Sequence, residues 1–184
     1  MIDLDEFRNL GLNITWTLID IGLKGDKTFY NELTPKDILH YAASVLEQDV
    51  YPQAVGELAG TPENDIDEID RYVKILASQE GIDRDKEFQK WVVCYVNHHI
   101  QKKHDNPIDG LMELGDIWLK LGMPNHCPHI FQGVNNNISP KEYYTLQNYE
   151  NMLQRHTDWI KNELFNLQSE SLGEPAETIR LPLP

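Results

Sequence analysis

Residues 34–46 read Thr-Pro-Lys-Asp-Ile-Leu-His-Tyr-Ala-Ala-Ser-Val-Leu. Thr34 can cap a helix, Pro35 suits its first position, and Asp37 is an acid in its first turn. Behind them Ile38, Leu39, Ala42, Val45 and Leu46 recur at steps of three and four, which draws one apolar stripe. Cap and stripe together predict an amphipathic helix.

The same pattern recurs downstream. Thr61-Pro62-Glu63-Asn64 repeats the opening, Ile66, Ile69, Val73 and Leu76 form the stripe, and Gly81 stops it. Asp83 can cap a helix carrying Phe88, Trp91, Val92, Tyr95, Val96 and Ile100. Another begins near Asn106-Pro107 and ends before Gly122. Ser139-Pro140-Lys141-Glu142 fits a capping box and predicts one long helix to about residue 169. Upstream, Asn13 can cap a helix from Ile14 to about Lys24. Ile14, Thr15, Trp16 and Thr17 also permit a strand, but no second alternating run lies nearby to pair with it. The expectation is an all-α, compact single-domain helical bundle of about six or seven helices. It spans residues 1–170, with a Pro-rich tail at 171–184 and one long loop at 123–138.

The chain has 184 residues and a net charge of -14 from 30 acids and 16 bases. That length buries a core without disulfide or metal staples. The charge argues against nucleic acid and anionic membranes as partners. The amino terminus is acidic where a secretory signal is basic, and no run approaches the roughly 20 apolar residues of a membrane span. With only Cys94 and Cys127, reduced thiols and a cytoplasmic location are expected.

The acids are concentrated. Residues 47–87 hold twelve acids and four bases, net -8. Glu63 is explained by the helix dipole. Asp67, Glu68 and Asp70 are read as lying beyond the first turn, on a solvated face or a docking face for a basic partner. The candidate docking surface comprises Asp49, Glu57, Asp65, Asp67, Glu68 and Asp70, with Asn135, Asn136 and Asn137 of the long loop as adaptable contacts. Tyr143, Tyr144 and Tyr149, read as exposed, would permit a weak dimer in place of a monomer.

Catalytic signatures are wanting. There is no Gly-x-Ser-x-Gly elbow and no Gly-rich phosphate loop. His126, Cys127 and His129, with His98 and His99 at a distance, have residue types that suit zinc, but their spacing is not diagnostic. His98 and His99 are adjacent on a helix and point about 100° apart. No metal site, cofactor or catalytic residue is expected. A small metal-dependent enzyme built on His126, Cys127 and His129 is the alternative, and an acidic adaptor protein is another.

Ile14-Thr-Trp16, the Leu39 to Leu46 stripe, the Trp91 helix, Asn106-Pro107-Ile108, Ile117, Pro124 and Phe131 carry a resemblance over residues 12–131. The chain resembles a bacterial helical family of unknown function found in toxin–immunity loci. It is also similar in type to immunity proteins of contact-dependent growth inhibition, which are small, acidic and cytosolic. The long final helix and the tail depart from the resemblance. The resemblance implies an immunity protein that covers the active site of a cognate basic toxin domain, commonly a nuclease. A ribonuclease is the expected target.

Overall fold

The computed structural model describes residues 2–25, 32–48, 50–124 and 126–171. Among these the regular structure is entirely helical, in nine helices: α1 (Leu4–Asn9), α2 (Trp16–Lys24), α3 (Pro35–Val45), α4 (Gln53–Ala59), α5 (Ile66–Glu80), α6 (Arg84–Ile100), α7 (Pro107–Lys120), α8 (Pro140–Tyr143) and α9 (Leu146–Ser171). The all-α expectation holds, with more helices than six or seven. The predicted tail at 171–184 lies outside the described residues but for Ser171, the last residue of α9.

The additional helices are short. α1, capped by Asp3, and α4, which follows Pro52 without a side-chain cap, have too few turns to draw a stripe in sequence. α8 and α9 replace the single long helix expected from Ser139. The capping box at Ser139 and Glu142 forms, but Tyr144 leaves helical geometry at φ -85 and ψ 58. Tyr143 turns inward and its hydroxyl meets His129 Nε2 at 3.0 Å. Thr145 then opens α9, its Oγ1 accepting from Asn148 N at 3.2 Å.

Two helix starts shift as well. α2 is capped by Thr15, which accepts from Leu18 N, not by Asn13. α5 is capped by Asp65, not Thr61, and its Gly81 stop is left-handed at φ 61. α3, α6 and α7 start at Thr34, Asp83 and Asn106 as read.

α2 is the centre of the packing. It lies along α5 and α6, while α9 closes over α6 and α7. All eight residues from Trp16 to Leu23 are buried, which explains why no polar face marked this helix. Trp91 fills the space between α2 and α1, edge-on to Phe7 with ring centroids 4.7 Å apart, and its Nε1 donates to Leu18 O at 2.9 Å. Trp118 and Trp159 form a second edge-on pair between α7 and α9, at 5.1 Å.

Two carboxylates from distant helices hold the amino end of α2. Glu80 accepts from the backbone of Trp16 and Thr17 at 2.8 and 2.9 Å. Glu87 accepts from Thr15 Oγ1 at 2.7 Å and from Lys90 Nζ at 2.7 Å, and Lys90 also reaches Asn13 O at 3.1 Å. Two of the twelve acids of the 47–87 segment therefore serve the interior.

Candidate functional site

The acidic segment divides into paired and unpaired charges. Because α5 begins at Ile66, Asp67 and Glu68 stand in its first turn, where the helix dipole favours them. This corrects their placement beyond that turn. Glu68 receives Arg71 Nε at 2.8 Å, and this bond holds its carboxyl below the usual range. Asp70 turns toward α2: Lys74 bonds it directly and Lys24 Nζ lies 3.6 Å away. Lys24 and Arg84 also pair with the buried Asp20. Asp65 spends its side chain on the cap of α5, and Glu57 accepts from Gln53 at 2.9 Å. Glu63 and Asp67 are exposed and make no hydrogen bond or ion pair among the described residues. Asp49 lies outside the described residues.

The long loop is irregular as read, but its asparagines differ in availability. Asn136 is occupied: its Oδ1 accepts from Gly133 N and Ile138 N, and its Nδ2 donates to Phe131 O and Val134 O, both at 2.8 Å. It holds the turn in which Asn135 adopts φ 55. Asn135 and Asn137 are exposed. Of the tyrosines offered for a dimer, Tyr143 and Tyr149 are buried and only Tyr144 is exposed.

The histidines take separate places. His98 Nδ1 donates to Glu6 Oε2 at 2.8 Å, whereas His99 turns to Glu113 on α7 at 2.9 Å. His104 bonds the other oxygen of the same carboxylate. Burial works to raise Glu113, but its bonds to His99 and His104 outweigh that and hold it below the usual range. His126 is exposed, while His129 is buried against Phe131, with ring centroids 4.6 Å apart. Burial pushes the Cys127 thiol up to about 11, against its backbone bond to His129 and the charge of Arg155. Burial does the same, more strongly, to Cys94. Among the described residues no group of three or more His, Cys, Asp or Glu side chains is placed to hold a metal ion.

Two features were not read from the sequence. One is the use of Glu80 and Glu87 at the start of α2, which depends on contacts more than sixty residues apart. The other is a groove of about 280 Å³ between α6 and α7. Its signal was available: Asp109, Glu113, Asp116 and Lys120 recur at steps of four, three and four.

These elements define a class: an all-α protein of bundled helices with exposed acids at the start of α5. The chain belongs to a bacterial family. Residues 4–164 match the family model described as "Uncharacterized protein conserved in bacteria (DUF2247)". The match runs well into α9, so the long helix belongs to the family pattern and not outside it. No curated protein and no solved structure matches the chain. Among the described residues no helix is long and apolar enough to cross a membrane.

Proposed function

We propose that this chain is a cytoplasmic, non-enzymatic immunity protein that binds and neutralises a cognate basic toxin domain. The observation that carries the reading is the charge: net -14 overall, with net -8 in residues 47–87. The exposed, unpaired Glu63 and Asp67 and the exposed Asp65 on one helix start give that charge an outward face. A nuclease toxin needs a positive groove to attract phosphate. An acidic helix end imitates that substrate's charge and steers encounter. A ribonuclease domain is the target this chemistry fits, and Asn135 and Asn137 are free to add contacts at the rim.

The test is capture of the product of the neighbouring gene by the purified chain, followed by binding measurements with Glu63→Lys/Asp67→Lys. These positions are preferred over Asp70, where a lysine would face Lys24 and Lys74 and disturb the fold. Affinity is expected to fall about tenfold or more, with a shallower salt dependence, because two attractions become repulsions. Unchanged affinity and salt dependence would remove this face as the interface.

A further inference from the structure

We propose that the groove between α6 and α7 docks an arginine-bearing segment of a protein partner, separately from the α5 surface. The groove holds about 280 Å³. This lies just below the range of small-molecule sites, about 300–1,000 Å³, and suits one long side chain better than a cofactor. Its apolar lining comes from Tyr95 on α6 and from Met112 and the buried Ile117 on α7. Its rim carries Asp109, Glu113 and Asp116 against the single ammonium of Lys120.

The rim carboxylates are unequally committed: Asp109 stands in the first turn of α7, where the helix dipole favours it, and Asp116 lies beyond that turn. Glu113 is held in place by His99 and His104, so its charge is fixed in position. Asp109 and Asp116 make no hydrogen bond or ion pair among the described residues. His99 adds no compensating charge near neutral pH, because burial holds it below the usual imidazole range in spite of Glu113 beside it. An apolar floor under a carboxylate rim complements a side chain with an apolar stem and a cationic head. Arginine fits better than lysine. Its planar head presents five donors, enough to bridge Glu113 and Asp116, which stand one turn apart on α7, and it stacks on aromatic rings such as Tyr95.

The surroundings favour a segment over a free cation. Ile108, Met112 and Leu119 recur at steps of four and seven, on one stripe of α7, with exposures of 43%, 56% and 57%. A cation alone would leave that stripe bare. A segment with leucines beside its arginine would cover the stripe while the guanidinium enters the groove.

The experiment titrates the isotopically labelled full chain with the peptide acetyl-Leu-Arg-Leu-Leu-Arg-Leu-amide, read by amide chemical shifts. The same peptide with citrulline in place of arginine, and guanidinium chloride alone, serve as comparisons. Shifts are expected at Tyr95, His99, Met112 and Asp116, with the citrulline peptide bound about fivefold more weakly, the size of two partly exposed charge contacts. Asp116→Asn should weaken binding of the arginine peptide roughly twofold, the size of one partly exposed charge contact, while keeping its melting temperature. Equal binding of the arginine and citrulline peptides overturns the proposal, as does absence of shifts at the groove. Guanidinium binding as tightly as the peptide would also overturn it, since no segment would then be needed. These comparisons use the native chain and no toxin, so they stand apart from the outcome on α5.

Discussion

At the scale of single residues, polar groups in the interior carry more consequence than those on the surface. Glu87 and Lys90 are both buried, and their pair is completed by Thr15 Oγ1 and Asn13 O. Removing one member strands a charge in the interior. Lys90→Met should therefore cost about 3–5 kcal/mol in urea unfolding, and Lys90→Met/Glu87→Leu should recover most of that. A double variant as unstable as the single one would show that the hydrogen bonds to Thr15 and Asn13, not the charge, dominate. His129 and His156 have a related weakness with a defined pH window. Burial pushes both imidazoles down to about 4. His156 Nδ1 donates to Met152 O at 2.6 Å, and its Nε2 accepts from Trp118 Nε1 at 2.7 Å, so a second proton would displace the indole. In the unfolded chain these rings titrate near 6.5, so it binds more protons than the native state between about 6.5 and 4. Their stabilising effect is complete above that window and is lost as pH falls through it. Unfolding free energy should drop by on the order of 2 kcal/mol per imidazole between neutrality and pH ~4.5. His156→Gln should flatten that slope, and an unchanged slope would place the titration elsewhere.

At the scale of helices, close approach is bounded by two glycines that the sequence pattern left unremarked. A Cβ at Gly22 would stand 2.4 Å from the Trp91 ring, and one at Gly110 would stand 2.4 Å from the Tyr149 ring. Both neighbours are large and buried, so neither can swing aside. Gly22→Ala and Gly110→Ala should each destabilise by about 1–3 kcal/mol, against the gain normally expected of alanine in a helix, as thermal unfolding would register. Gly81→Ala meets no atom, but it is strained by its φ of 61. Its cost should be smaller, on the order of 1 kcal/mol. What could be read in advance follows the same division between local and distant causes. α3, α6 and α7 announce themselves because cap, first-turn acid and stripe all lie within one helix. The break between α8 and α9 did not, because it is set by Tyr143 meeting His129 fourteen residues earlier. Placing the start of α5 at Thr61 put Asp67 and Glu68 a turn too deep, and so overstated their independence from the helix dipole. The pairing of Asp70 with Lys24 spans α2 and α5 and has no signature in either segment alone. The acidity of the candidate surface was therefore legible, while its division into spent and available carboxylates required the packing.

At the scale of the whole molecule, charge acts on encounter more than on the bound state. Thirty acids against sixteen bases produce an anionic field. That field extends about one Debye length beyond the surface, near 10 Å at 0.1 M salt and 3 Å at 1 M. Much of the local compensation is already internal. Within residues 47–87 three of the four bases are spent in this way: Arg71 serves Glu68, Lys74 serves Asp70 and Arg84 serves Asp20, so the local acid excess is left largely uncompensated. A basic partner approaching this chain would feel the field before touching any particular carboxylate. Stopped-flow association with the basic partner proposed above should therefore slow about tenfold or more between roughly 0.05 and 0.5 M salt, with dissociation changing much less. Glu63→Lys/Asp67→Lys should lower the low-salt association rate and bring it closer to the high-salt one. If salt acted instead on dissociation, the charges would be buried contacts of the complex. The acidic balance would then stabilise binding through desolvated pairs and not through steering.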